Sequence, residues 1–275
     1  MAGGNVLVGD IVARLEVLAR ELGQPGLNRD EGLRFGEPDA PVQGIQVCWM
    51  ATQDAIEAAA ASGANLIVAH EDLFYPYDVL VKGGPADFLT WRTNARRARL
   101  LARHGIAVIR AHGTLDRSHI FEGFAQLLAL PGAPGSGTGP LVDEAPYGRI
   151  YGIEPQTLRQ LTAHVKVRTG MTALRVAGNP DAVVRRVGLP WGGMALFVNV
   201  GYMQRLVQLG ADVFIAGESD NYGLRFAVEA GIPLIETSHE VSENPGLRAF
   251  TGELAHAFPH VPVAFHENPL CWRME

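Results

Sequence analysis

The chain has 275 residues, of which 47% are hydrophobic and 19% are charged, and its formal net charge is -6. This composition indicates a folded globular protein and excludes a disordered chain, because disorder goes with low hydrophobicity and high net charge. The acidic balance argues against non-specific nucleic-acid binding, which depends on a positive surface that displaces counterions from phosphates.

The first part of the chain predicts alternating helices and strands. Apolar residues from Ile11 to Leu22 recur at helical spacing, which predicts an amphipathic helix that ends before Gly23. Beyond Gly44, short apolar runs rich in β-branched residues alternate with alanine-rich or arginine-rich stretches. The predicted order is strand 45–49, helix 52–62, strand 65–69, helix 87–104 and strand 106–110. This order implies right-handed crossovers and a largely parallel sheet.

A stretch dense in glycine and proline, residues 131–149, predicts a connector between two halves, 1–130 and 150–275. The second half repeats the alternation, with strands at 174–177, 183–189, 212–216, 232–235 and 261–265 and helices at 200–209, 220–230 and 245–257. We therefore expect an α/β fold of two similar halves, separate or interlocked, with largely parallel or mixed sheets. Ligands of such sheets bind in the crevice at the carboxyl ends of the strands.

The cysteine content and the hydropathy pattern bear on where the protein works. Cys48 and Cys271 are too few for a disulfide framework or a four-cysteine zinc site. No apolar run approaches the roughly 20 residues that span a bilayer, and no signal-peptide pattern opens the chain. We expect a cytoplasmic protein that has neither a membrane nor a nucleic acid as its partner.

Histidines and carboxylates follow the predicted strands, where ligands of parallel sheets collect. They are His70 and Glu71 after 65–69, His112 and Asp116 after 106–110, Glu218 after 212–216, and His239, Glu240 and Glu243 after 232–235. One such residue alone is a weak signal, since a single histidine at a strand end usually lies on the surface. Imidazole and carboxylate ligands without thiolates suit Zn, Mn or Fe, and more than four of them can hold two ions.

The order and spacing of these motifs carry a resemblance that extends over nearly the whole chain. The motifs are His70-Glu71-Asp72-Leu73, His112-Gly113-Thr114-Leu115-Asp116, Gly217-Glu218 and Ser238-His239-Glu240-Val241-Ser242-Glu243. Together they resemble the NIF-three-like dinuclear metal-centre hexamer family, some of whose members are called GTP cyclohydrolase I type 2. The chain has no large inserted domain and is similar to the short form of that family.

The resemblance implies two divalent ions per chain, Zn, Mn or Fe, and a homohexamer built as a trimer of dimers. The implied metal ligands are His70, Glu71, Asp116, His239 and Glu243. The resemblance also implies that His112 orients a ligand or relays a proton. Position 71 departs from the family, which usually has a second histidine there, and Trp49-Met50 replaces a family aspartate. A carboxylate at position 71 should shift metal preference from Zn toward Mn, Fe or Mg.

Three hypotheses of function stay open at this point. The first is a metal-dependent hydrolase of a small anionic, nucleotide-like substrate, in which Glu71 or Glu218 orients or deprotonates a metal-activated water. The second is a non-catalytic hexameric metal-binding scaffold or regulator. The third is a plain nucleotide-binding α/β protein, against which the missing glycine-rich phosphate fingerprint counts. The arginines of helix 87–104 are better explained as a solvated helix face than as a phosphate site.

Overall fold

The computed structural model describes residues 5–132, 142–144, 148–273 and 275. The chain forms two compact units, Met1–Ser118 with Leu247–Pro269 and His119–Gly246 with Leu270–Glu275. The predicted connector at 131–149 stays a prediction, since residues 133–141 and 145–147 lie outside the described ranges. Within those ranges, no helix combines the length and the apolar character needed to cross a membrane.

Helices and strands are interspersed throughout the described residues. The elements up to Ser118 are α1 Val8–Glu21, β1 Gly32–Phe35, β2 Ile45–Cys48, α2 Gln53–Ser62, β3 Leu66–Ala69, α3 Val79–Lys82, α4 Arg92–His104, β4 Ala107–Arg110 and α5 Gly113–Leu115. Those that follow are α6 Phe121–Leu127, β5 Val142–Glu144, β6 Gly148–Thr157, α7 Leu158–Thr169, β7 Arg175–Ala177, β8 Val183–Gly188, α8 Val200–Gln208, β9 Val213–Ala216, α9 Asn221–Glu229, β10 Leu234–Glu236, α10 His239–Ala257 and β11 Val263–His266. The predicted mixed α/β class is confirmed.

The first unit is built on a five-stranded sheet in the order β1-β4-β3-β2-β11. Strands β4, β3, β2 and β11 are parallel, and β1 adds an antiparallel edge next to β4. The residues of β2, β3 and β4 are buried throughout, which explains their nearly continuous apolar sequences. Helices α2 and α4 cover the sheet through a core that includes Ile56, Leu101 and Val108. The carboxyl ends of β3 and β4 therefore share one edge of this unit.

The second unit is built on a six-stranded sheet in the order β5-β6-β8-β9-β10-β7. Among the described strands, β8, β9 and β10 run parallel, and the other pairings are antiparallel. Phe214 on β9, fully buried, packs in the core with Leu206 and Ala227 of the flanking helices. The sequence analysis predicted neither β6 nor α7. The mixed burial along β6 gives no clean alternation of apolar residues.

Helix α10 begins at His239, six residues before the predicted start at 245. Pro245 lies inside the helix, and a proline there usually signals a helix start, which explains the difference. The earlier start places His239 and Glu243 one helical turn apart on the same face. Within the second unit, Gly246 of this helix meets Gly123 of α6 so closely that a Cβ on Gly123 would lie 2.6 Å from the Gly246 nitrogen.

Asp220 caps the N-terminus of α9 and supports a first prediction. Its carboxylate accepts hydrogen bonds from the backbone nitrogens of Gly223 at 2.8 Å and Phe197 at 3.0 Å. Burial would raise the pKa of Asp220, but these hydrogen bonds hold it below the ordinary 3.8. The stabilisation is therefore present above the unfolded pKa and is lost as the pH falls through the folded pKa.

We expect Asp220→Ala to lower the free energy of unfolding by about 1 kcal/mol at neutral pH, and by less at about pH 3. Urea unfolding at both pH values measures the difference. Asp220→Asn is the control, because it keeps a capping oxygen but removes the charge. A cost for Asp220→Ala that is equal at both pH values would contradict the assignment.

Candidate metal-binding sites

The first unit gathers two imidazoles and a carboxylate at the carboxyl ends of β3 and β4. His70 follows β3, His112 follows β4, and Asp116 directly follows α5 at the start of a π-helical turn, Asp116–Ile120. One ligand atom from each of the three lies within 4.8 Å of the others. The distance from His70 Nε2 to Asp116 Oδ1 is 3.8 Å. We call His70, His112 and Asp116 the first ligand group.

The hydrogen bonds of His70 determine which of its nitrogens can bind a metal. The ring is fully buried, and its Nδ1 lies 3.0 Å from the backbone oxygen of Ala111. A carbonyl oxygen can only accept a hydrogen bond, so the neutral ring carries its proton on Nδ1. Nε2 is then the lone-pair nitrogen, which lies on the side of Asp116. This arrangement, one nitrogen held by a backbone carbonyl and the other turned to the ligands, is common for metal-binding histidines.

His112 is held by an acidic pair that precedes β1. Its Nδ1 lies 2.9 Å from Asp30 Oδ2. The hydrogen bond from His112 lowers the pKa of Asp30 to about 2. Burial would lower the pKa of His112, but Asp30 and nearby carboxylates raise it above its ordinary value. Buried Glu31 accepts hydrogen bonds from the backbone nitrogens of His112 at 2.8 Å and Thr114 at 2.9 Å, and so anchors the loop that leads to Asp116.

Glu71 lies beside a buried guanidinium. Its side chain is almost fully buried, and its Oε2 lies 3.9 Å from Arg110 Nη2. Arg110 also donates a hydrogen bond from Nε to the backbone oxygen of His70 at 3.2 Å. In this unit the carboxylate of the predicted ligand Glu71 thus lies beside a fixed cation, immediately next to His70.

The second unit gathers a second set of residues around the start of α10. His239 Nδ1 lies 3.0 Å from Glu218 Oε2, and His239 Nε2 lies 3.2 Å from Glu243 Oε1. The hydrogen bond from His239 lowers the pKa of Glu218 despite the opposing effect of burial. In the neutral ring, an ionised Glu218 accepts the proton on Nδ1, and Nε2 then presents its lone pair toward the Glu243 carboxylate. We call His239 and Glu243, oriented by Glu218, the second ligand group.

A glycine turn leaves the space around the second ligand group open. Gly192 has a φ of +48° and follows Trp191. A Cβ on Gly192 would run into Glu243 Oε1 and would lie 3.1 Å from His239 Nε2. Ser242 Oγ accepts a hydrogen bond from the Gly192 nitrogen at 2.9 Å and donates one to the His239 oxygen at 2.7 Å, which ties the turn to α10.

Both groups fit a divalent metal ion by the chemistry of their donors. Imidazole nitrogen with carboxylate oxygen is a donor set used by Zn, Mn and Fe. Two ligands about 2.1 Å from one ion at a tetrahedral angle lie about 3.4 Å apart, close to the separation of His239 Nε2 and Glu243 Oε1. Two lone-pair atoms at that distance need a cation near them, either a proton or a metal ion.

The structure also contains site residues that the sequence did not suggest. Asp30, Glu31 and Arg110 hold the first ligand group, and Gly192 gives space to the second. Glu240, predicted at the same strand end as His239, instead accepts a hydrogen bond from Ser238 Oγ at 2.6 Å. The sequence feature that could have pointed to Asp30 and Glu31 is their position as two adjacent acidic residues directly before a short strand.

Comparison with known proteins decides the family. The model of the Duf34/NIF3 (NGG1p interacting factor 3) family matches residues 7–269. The chain belongs to this family. The resemblance inferred from the strand-end motifs is therefore confirmed, since the match covers every motif on which it rests.

Individual Duf34/NIF3 relatives are distant in sequence. The chain is 26% identical to the "GTP cyclohydrolase 1 type 2 homolog" of Neisseria meningitidis serogroup B over 224 residues, 79% of this chain and 81% of that protein. It is 26% identical to the protein of the same name from Escherichia coli K12 over 211 residues, 76% and 78% of the two chains. The crystal structure of a Bacillus cereus protein related to NIF3 matches with a TM-score of 0.76 at 17% identity, covering 99% of this chain and 100% of that one. That likeness shows the shared fold.

Proposed function

We propose that this Duf34/NIF3 protein binds divalent metal ions through its two ligand groups and is a metal-dependent hydrolase of an anionic, nucleotide-like substrate. The observation that carries the proposal is the convergence of His70, His112 and Asp116, whose ligand atoms lie within 4.8 Å of one another. The family resemblance supports two ions per chain and a homohexamer. The names of the relatives make GTP the first substrate to test.

The protein residues would have distinct tasks in this proposal. His70 and Asp116 would hold an ion in the first unit, and His239 and Glu243 would hold one in the second. Asp30 and Glu218 would fix the orientations of His112 and His239 through their Nδ1 atoms. A bound divalent ion supplies a Lewis acid that makes water acidic enough to act as a nucleophile near neutral pH.

The surroundings of Glu218 and Glu71 argue against either carboxylate as the catalytic base. A general base works best when its pKa lies near the working pH. The pKa of Glu218 is lowered by its hydrogen bond from His239, so this carboxylate suits an orienting role better than proton abstraction. Glu71 is buried, and its Oε2 already lies 3.9 Å from the guanidinium of Arg110. This observation favours the second candidate, a non-catalytic metal-binding scaffold or regulator.

Metal content tests the proposal directly. We expect protein purified without added metal or chelator to contain about two ions per chain by elemental analysis, and Asp116→Ala and His239→Ala each to lose about one, because each removes a ligand from one group. Asp39→Ala and His256→Ala are matched controls, since both residues are exposed and belong to neither group. Full metal content in both ligand variants would overturn the assignment.

Activity then separates the two candidates. Metal-loaded wild-type protein should hydrolyse GTP or another nucleotide, and both ligand variants should lose that activity together with their ions. Metal binding without any turnover across nucleotides and phosphoesters would leave the scaffold as the function. Light scattering on the same samples measures whether loss of the ions also breaks up the proposed hexamer.

A further inference from the structure

Four carboxylates of the first unit surround one buried arginine. Arg110, 1% exposed, occupies the last position of β4, between β1 and β3. Its guanidinium nitrogens lie 2.9 Å from Asp78, 3.4 Å from Asp72, 3.4 Å from Asp30 and 3.9 Å from Glu71. We call these four residues the acid cluster. Side chains of this type are rarely buried unless they are paired, and here all four share the same cation.

The remaining contacts of Arg110 fix its position. Nη2 donates a hydrogen bond to Tyr77 Oη at 2.7 Å, and the guanidinium carbon lies 5.0 Å from the centre of the Tyr77 ring. Burial alone would lower the pKa of Arg110, but Tyr77 and the acid cluster raise it. Lys82 reaches Asp78 at 2.7 Å from the solvent side, where its side chain is 72% exposed. Arg110 is thus the permanent buried cation of the cluster.

An acid cluster without Arg110 would be a set of oxygen ligands. Asp30, Asp72 and Asp78 each place a carboxylate oxygen 2.9 to 3.4 Å from Arg110 Nη1. Carboxylate oxygens around one position are the ligands that Ca²⁺ prefers, whereas the imidazoles of the first ligand group suit borderline ions such as Zn²⁺ or Co²⁺. Glu71 belongs to the acid cluster and adjoins His70, so the two kinds of site are neighbours along the chain. Whether the acid cluster can also bind an ion depends on whether a cation such as Arg110 already neutralises its carboxylates.

We propose that Arg110 is a specificity-determining residue, which takes the place of a hard cation in the acid cluster and so restricts divalent-ion binding in the first unit to the first ligand group. A guanidinium suits this task because it carries a permanent charge and five donors, and it cannot exchange with solvent. Its Nε also holds the backbone of His70, which couples the cluster to the ligand group. The inference rests on the proposed function only in assuming that the first ligand group binds a metal ion.

Calcium binding by Arg110→Met tests the inference. We expect this variant to gain a Ca²⁺ site, seen as a rise of its unfolding midpoint with added Ca²⁺ and as binding heat in calorimetry, because ligand binding to the folded state stabilises it. Wild-type protein should show neither signal. Arg110→Lys should also exclude Ca²⁺, because it restores the charge. Arg97→Met is the matched control, since Arg97 is buried in the same unit but contacts the Leu73 oxygen and Met50 sulfur.

The outcomes separate this inference from the proposed function. Co²⁺ absorption of wild-type protein reports the metal site, and Ca²⁺ binding by Arg110→Met reports the role of Arg110. No greater Ca²⁺ response in Arg110→Met than in wild type would overturn the inference even if Co²⁺ binds. If Arg110→Met does not fold without Ca²⁺, the double variant Arg110→Gln with Asp78→Asn is tested instead. It removes one carboxylate together with the guanidinium, so less uncompensated negative charge stays buried. That double variant should bind Ca²⁺ at least about tenfold more tightly than Asp78→Asn alone, and equal affinity would overturn the inference.

Discussion

Gly192→Ala is expected to abolish metal binding by the second ligand group and to lower the free energy of unfolding by about 2 to 4 kcal/mol. Two effects add. The backbone of Gly192 has a φ of +48°, which costs an alanine about 1 to 2 kcal/mol. The new Cβ also runs into Glu243 Oε1 and approaches His239 Nε2, so both ligands must move. Elemental analysis and urea unfolding measure the two losses.

A second glycine of the same unit provides the control. Gly201 lies in helix α8, and a Cβ built on it meets no heavy atom within 4 Å. Gly201→Ala should keep both ions and gain about 0.5 to 1 kcal/mol, because alanine favours a helix over glycine. If Gly192→Ala keeps its full metal content while losing stability, the space beside Glu243 has a structural role and not a metal-binding one.

Glu31→Gln is expected to cost about 3 kcal/mol of unfolding free energy and to weaken Co²⁺ binding by the first ligand group about tenfold. The Glu31 carboxylate accepts four hydrogen bonds, from the backbone nitrogens of Asn28, His112 and Thr114 and from Thr114 Oγ1. A glutamine amide replaces one accepting oxygen by a donor, which then faces donors inside the protein. The loop from His112 to Asp116 loses its anchor, so two members of the first ligand group lose their fixed positions.

The matched control for Glu31 is an exposed glutamate of the same unit. Glu57 lies on the solvent side of α2, and Glu57→Gln should change stability by less than about 0.5 kcal/mol. Chemical denaturation of metal-free protein and Co²⁺ titration of folded protein report the two effects of Glu31→Gln separately. A loss of stability with unchanged Co²⁺ affinity would mean that the loop reaches its metal-binding conformation without Glu31.

The strands that carry the candidate ligands were predictable from the sequence because buried strands consist almost entirely of apolar residues. Strands β3 and β4 are short apolar runs, and His70 and His112 come after their ends at positions where parallel strands expose side chains to a common edge. His239 and Glu243 were likewise predicted as residues that follow a strand, 232–235. These features are local in sequence, so a pattern of residue types reveals them.

The supports of the site were not predictable because they depend on contacts distant in sequence. Asp30 and Glu31 precede a four-residue antiparallel strand that has no clear period, and they reach His112 from 82 and 81 positions away. Arg110 ends a buried strand, where an arginine is rare and a sequence pattern favours exposure. The start of α10 was placed too late, since Pro245 suggests a helix start but is accommodated inside the helix.

The position of β11 has a consequence for how the protein is made. This last strand pairs in parallel with β2, from Val263 against Ile45 to His266 against Cys48. During synthesis on the ribosome, β2 emerges more than 200 residues before its neighbour, so the nascent sheet presents an open edge of unpaired backbone groups while those residues are made. Strand pairing over that separation closes a very long loop and is slow. Protection of the nascent edge by a chaperone is therefore more important for this chain than for one whose sheet is completed in sequence order.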